Sequence, residues 1–247
     1  MATPEAPATV ESAPPPSLVS SVVDILFSPR EGFAGVLRKP GFWLPLVLGM
    51  VIGLAFVGIW LHKMEPAEFL KAQMIENGQW DKIPAENRQG ILDTQSKVIP
   101  IFVWGATLVF PLVGLLVFSG VLLFIYRFFY GGQVTFKQSA TLVAYMFLAV
   151  GIVLTPLRLL IYFLKGDWNL PPEEVIQANA TLFLDRESVS KAVWALASSL
   201  DLVVLWQVWL LATAFAVATG KRTSSALWGV LIPWALFVAV KVLFKMF

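Results

Sequence analysis

The chain has 247 residues, 57% of them hydrophobic and 14% charged, with a net charge of +2 at neutral pH and a mean hydropathy of +0.75. Soluble domains are about one quarter charged, so the composition defines an integral membrane protein, and the small net charge gives no strongly basic field for nucleic acid. Cysteine is absent and histidine occurs once, at His62, which excludes disulfides, thiolate chemistry, cysteine-ligated metals and any multi-histidine metal site.

The first segment, 1–17, reads "MATPEAPATVESAPPPS". It holds two glutamates, no Lys or Arg and no apolar core behind a basic start, so it is not a signal peptide. Its proline, alanine and serine content predicts a disordered tail. Residues 18–40 follow, with "SLVSSVVDILF" running into "FSPREGFAGVLRKP". Ser28, Pro29 and Glu31 have the order of a capping box with proline at the first helical position. Phe33, Val36 and Leu37 fall on one helical face, and Arg30, Arg38 and Lys39 supply cations. The segment is predicted to lie on the membrane surface as an amphipathic helix. An ordinary helical lead-in with no lipid role is the alternative.

The remainder, 41–247, forms the membrane domain, with predicted spans at roughly 42–61, 99–126, 140–164, 192–219 and 225–245. Each has enough apolar residues to cross about 30 Å of hydrocarbon at about 1.5 Å per residue. Barrel strands would be about ten residues long and alternating, whereas these runs are apolar all round. Helices satisfy their own backbone in lipid, so the predicted fold is all-α, a bundle of five transmembrane helices with an N-terminal interfacial helix. Pro111, inside the second run, predicts tilt or a kink.

The connections are of two kinds. Residues 62–98 and 165–191 are long and polar, with helix-start signals and both charge signs, whereas "RFFYGGQVTFK" and "TGKRTSS" are tight. Gly131-Gly132 makes a tight turn, and "NAT" at 179–181 matches a glycosylation sequon as readily by chance as by design. Five spans place the tail and both tight loops on one side with seven basic residues, against eleven elsewhere. The raw count opposes a cytoplasmic tail. The tight-loop cations, however, sit against span ends with no acid among them, and on that ground the tail is placed inside and the C-terminus outside. Trp43, Trp60, Trp168, Trp194 and Trp228 fall near span ends, as aromatic belts do. Trp206, Trp209 and Trp234 lie deeper and are expected to pack between helices.

The candidate polar site is Asp201, the only acid within the long apolar runs. If the fourth run is one helix, Asp201 lies roughly 14 Å below its outer end, at a cost of about 2.5–3.5 kcal/mol for a charge at mid-span. Ser198 stands one turn earlier on the same face, Ser199 is beside it, and Gln207 lies off that face. Arg158, roughly 9 Å inside the third span, is positioned to pair with Asp201 across neighbouring antiparallel helices. Such a pair reads either as a structural clasp or as a wall of a transport path joined by Gln207 and Thr155; Arg158 snorkelling alone is the third reading. Lys241 is expected to snorkel with Lys245, and His62 to be interfacial. Gly49 and Gly53 have the four-residue spacing that lets helices approach. No nucleophile elbow, histidine–carboxylate set or phosphate loop is present; no cofactor, metal or enzymatic activity is expected.

Taken together, "SPREGFAGVLRKPGFWLPLVLG", "YGGQVTFKQSATLVAY", "SLDLVVLWQVWLL" and "VLIPW" resemble, in order and spacing over about 28–240, the Yip family of Ypt/Rab-interacting five-pass membrane proteins, in its bacterial branch. The resemblance implies five helices, a cytoplasmic N-terminus and no enzymatic activity. Its eukaryotic members are tied to Rab GTPases, vesicle traffic and membrane shape. That role is not transferred, because the tail here is short and proline-rich. The resulting expectation is a non-enzymatic, multi-pass protein of a bacterial inner membrane that organises or scaffolds it. Its partners would be the lipid bilayer and either membrane proteins or further copies of itself, not nucleic acid. A small transporter or channel component is the alternative.

Overall fold

The computed structural model describes residues 16–186 and 188–245. The predicted tail falls outside them except for its last two residues, and Ser17 is already the N-cap of the first helix. Among the described residues there are nine α-helices, two single 3₁₀ turns and no strand. Five of the helices are long and apolar enough to cross a membrane.

The segment 18–40 is two helices, α1 (Leu18–Phe27) and α2 (Pro29–Arg38). Pro29 has no N–H to continue α1 and disfavours helical geometry at the residue before it. Ser28 accordingly leaves the helical region, at φ −138° and ψ 63°. Its side chain forms no cap bond, so the capping box read from the sequence is not made; Ser28 instead ends α1 by donating its N–H to the Asp24 carbonyl at 2.7 Å. The two helices fold into a hairpin at Gly32, where a Cβ would stand 2.5 Å from the Ile25 nitrogen. Only glycine permits that approach.

The first membrane helix, α3 (Trp43–Lys63), is followed by α4 (Pro66–Glu76) and the turn Trp80–Lys82. The next helix, α5 (Ala85–Phe128), has 44 residues and runs unbroken through Pro100 and Pro111. It begins fourteen residues before the predicted span, because the polar stretch 85–98 continues the same helix out of the bilayer. At about 1.5 Å per residue it is roughly 66 Å long, about twice the hydrocarbon thickness.

The central helix is α6 (Phe136–Lys165), which packs against α1, α2, α3, α5 and α8. It opens with a capping box, Thr135 with Gln138. Between Ser139 and Val150 nearly every residue is buried. Its alanines and Ser139 let neighbours close in, and the Ser139 hydroxyl donates to the Ser119 carbonyl of α5 at 2.8 Å.

The fourth run is also two helices, α7 (Lys191–Ser199) and α8 (Leu202–Thr219), and α9 (Thr223–Phe244) completes the bundle. The main core lies toward the hairpin side, where Ile25, Phe33, Leu142, Phe215 and Tyr126 are fully buried. Tyr126 stacks on Phe215 at 4.5 Å and donates its hydroxyl hydrogen to the Ala226 carbonyl. A second core at the opposite end is built on Trp60, Tyr162 and Val175. There the loop after α6 folds back: Tyr162 stacks on Trp168 at 4.9 Å and donates to the Leu170 carbonyl at 2.7 Å, while Trp60 Nε1 donates to the Trp168 carbonyl at 3.0 Å. Trp206 and Trp234 pack against the main core as expected. Trp209 does not; it is 44% exposed.

Candidate functional site

The fourth run breaks at Leu200 and Asp201. Ser198 and Ser199, at the end of α7, return their hydroxyls to the Ala195 carbonyl at 3.0 and 2.7 Å, a local bond that competes with helix continuation. Asp201 then adopts extended backbone, and its Oδ1 accepts from the Val203 and Val204 amides at 2.8 and 3.1 Å. It is the N-cap of α8. An aspartate immediately before an eighteen-residue apolar run is a helix-start signal, and that is the sign by which the break was legible.

The break frees peptide groups, and the second long loop bonds them. Ala180 N donates to the Leu200 carbonyl at 3.2 Å and Leu202 N to the Ala178 carbonyl at 3.0 Å, so that Asn179 faces Asp201 as an antiparallel bridge. Non-helical backbone is tolerated near the bilayer only where protein satisfies it in this way. Asn179, the first residue of the sequon-like triplet, is occupied as well: its Oδ1 accepts from the Thr181 amide at 3.1 Å.

This geometry corrects the depth assigned to Asp201. With 18 residues, α8 is roughly 27 Å long, close to the full hydrocarbon thickness. Asp201 therefore caps α8 at the membrane border, not 14 Å below it.

The Arg158–Asp201 pair is not formed. Ion pairs form elsewhere, at Lys71–Glu68 and Arg186–Glu76. The Asp201 carboxylate is committed to the amides of its own helix. Arg158, half-buried in α6, keeps an Nε that is buried without a hydrogen-bond partner, and the acid within electrostatic reach of it is Glu173 of the loop. Gln207 is half-buried in the middle of α8, and no hydrogen bond joins it to Asp201 or Arg158. Ser198 does gain a partner, one the sequence reading assigned elsewhere. Lys241 of α9 does not snorkel with Lys245; its Nζ donates to Ser198 Oγ at 3.1 Å and Ser199 Oγ at 3.0 Å. An ammonium and two hydroxyls thus collect where the end of α7 meets α9.

Beside this cluster the second long loop is tied to α4. Arg186 Nη1 donates to Glu76 Oε1 at 2.6 Å, and the Arg186 guanidinium lies 5.1 Å from the Trp194 ring centre. Partial burial, with Glu76 and Glu173 close by, raises the affinity of the Glu174 carboxyl for its proton above that of an ordinary glutamate, and Arg186 offsets part of this.

Three of the grooves formed by the described residues have room for a small molecule. One of about 770 Å³ lies at the loop end, walled by Trp60, Phe69, Gln73, Gln95 and Glu173. A second, about 370 Å³, runs between α3, α5 and α6, and both touch Phe110 and Pro111. Gly49 opens onto the second with no atom within 4 Å, whereas Gly53 meets Thr107 of α5 at 3.6 Å, so only one glycine of that pair serves helix contact. The third, about 400 Å³, lies on the hairpin side between the α1–α2 turn, α8 and α9. None of the three is lined by Asp201, Arg158, Ser198 or Gln207. His62 is exposed at the end of α3, and among the described residues no cluster of metal-ligating side chains occurs.

Five apolar helices, a buried central helix and loop backbone folded in to satisfy a break define a multi-pass α-helical membrane protein. A family model described as the Yip1 domain matches residues 23–244. The chain belongs to the Yip1 domain family. No curated protein and no solved structure matches it.

Proposed function

We propose that this chain is a non-enzymatic organiser of its membrane, acting through the α1–α2 hairpin as a wedge in one leaflet. The observation that carries the reading is a stripe on α1. Val19, Val23 and Phe27 recur every four residues on one face and are 70%, 46% and 82% exposed, while Val22 and Ile25 on the other face are buried in the core. Apolar side chains held outward beside a membrane bundle bury into the headgroup–acyl boundary, at about 1.5–3 kcal/mol for each one removed from water. Because α2 is packed on α6 and α8, the wedge would move with the bundle.

The test is reconstitution of the full chain into liposomes of mixed size. The wild type is expected to enrich in the smaller vesicles and the triple variant Val19→Ser, Val23→Ser, Phe27→Ser to distribute evenly at unchanged melting temperature. Even distribution of the wild type would sink the reading.

We place the hairpin on the cytoplasmic face of a bacterial inner membrane and the C-terminus outside. Arg127, Lys137, Lys221 and Arg222, which flank the tight turns without an acid, support this. As the chain has no cysteine, impermeant maleimide labelling of Ser224→Cys against Ser188→Cys in whole cells decides it: only the second is expected to react. Membrane-protein partners or a homo-oligomer would assemble on the bundle; cross-linking in native membrane reads them. A lysine bonded to two hydroxyls at the α7–α8 break favours a second reading, a small transporter or channel component. Solute flux in proteoliposomes that is lost in Lys241→Met would establish it.

A further inference from the structure

We infer that the cleft between the α1–α2 turn, α8 and the start of α9 binds a phosphate ester anion. The chemistry is shared by phospholipid headgroups and soluble phosphate compounds. The inference uses different residues from the α1 stripe and stands whether or not the hairpin acts as a wedge.

The cleft, about 400 Å³, has room for a headgroup, being roughly a dozen times the volume of a water molecule in the liquid. Two helices begin beside it. Helix α2 starts at Pro29 and α9 at Thr223, and at neither does the N-cap side chain bond back to the helix. Pro29 has no N–H and the Glu31 and Gly32 amides donate to the Ser28 carbonyl, so the amides left to the space are those of Arg30 and Thr223, at the positive ends of two helix dipoles that border it. Arg30 stands over it, held by a bond from Nη1 to Thr223 Oγ1 at 3.1 Å, and guanidinium is well shaped for phosphate.

An independent observation points the same way. Thr213 of α8 forms part of the cleft wall. It is 1% exposed, and its hydroxyl has no hydrogen-bond partner. A buried hydroxyl left unbonded is unfavourable; a phosphate oxygen in the cleft would accept from it.

Depth favours the lipid as the source. Thr213 lies roughly 9 Å from the hairpin-side end of α8, and the exposed Trp209 stands one turn deeper in the same cleft. A lipid reaches this position laterally from the bilayer with its chains left in hydrocarbon, whereas a soluble phosphate compound must enter past the helix ends. The opposing feature is Glu31, which also lines the cleft. It is exposed to solvent, and Arg30 together with Lys221 and Arg222 just before α9 outweighs it. Glu31→Gln is therefore expected to tighten binding.

The test is native mass spectrometry of the full chain, titrated with phosphatidylglycerol, with diacylglycerol of the same chains, and separately with inorganic phosphate. Phosphatidylglycerol is expected to be retained at least tenfold more than diacylglycerol. Arg30→Gln and Thr213→Val should each lower its retention by about ten- to a hundredfold, the size of one charge-assisted hydrogen bond. Arg38→Gln, at the far end of α2, should leave it unchanged. Thr213→Val keeps the shape of the wall and provides the reading should Arg30→Gln fail to fold. Inorganic phosphate binding with the same variant pattern, without lipid preference, would assign the site to a soluble phosphate compound. Equal retention of the two lipids with no phosphate bound, or indifference to both variants, overturns the proposal.

Discussion

At Asp201 the residue type is explained by backbone chemistry, not by charge pairing. Its oxygen closes two amides at the start of α8. Asp201→Ala is expected to cost about 0.5–2 kcal/mol, as loss of an N-cap does, whereas Asp201→Asn, also a good cap, should cost little. A clasp to Arg158 predicts the reverse, that the neutral isostere is as damaging as alanine. Thermal unfolding of both variants in detergent separates the two. A second test is Gly229, where a Cβ would lie 2.9 Å from the buried Tyr126 ring. Gly229→Leu should destabilise by about 1–3 kcal/mol through overpacking, and Gly151→Leu, at a glycine with no atom within 4 Å, should not.

At the scale of elements, the five apolar runs were legible because lipid demands about twenty consecutive apolar residues per crossing. Helix ends were not legible to the same degree. The run of α5 starts at Ala85 because polar residues of good helix propensity simply extend it, so hydropathy marked the membrane border and not the end of the helix. Hydropathy also hid the break before α8, since both sides of it are apolar and only the cap residue signals it. The site is the least legible part: pairing Arg158 with Asp201 requires one continuous fourth helix, and Lys241, some forty residues downstream, shows no sequence pattern that links it to Ser198 and Ser199.

The loop that satisfies the break carries a pH dependence. Glu174 binds its proton more tightly in the folded loop than in the unfolded chain. Its contribution is therefore full below the ordinary glutamate range and is lost as pH rises through the folded value. Hydrogen exchange in residues 171–186 is expected to slow as pH falls through the folded value and to level off once it is below the ordinary glutamate range, after correction for intrinsic rates. Glu174→Gln should remove that change; because Glu174 is largely exposed, the effect should also shrink in high salt.

For the whole molecule, the two ends differ in kind. The loop end is held by aromatic stacking and by loop backbone folded onto α3 and α6. The hairpin end holds the main core, the starts of α2 and α9, which no side chain caps, and an apolar stripe turned outward. A membrane organiser needs an asymmetric footprint of this sort, and it depends on where α1 sits. A spin label at Val23→Cys in the reconstituted full chain measures this directly, with Ser224→Cys as the aqueous reference. Label 23 is expected to be relaxed by oxygen in preference to a water-soluble nickel chelate, at a depth of roughly 5–10 Å below the headgroups. Preference for the chelate at position 23, equal to that at 224, would contradict it.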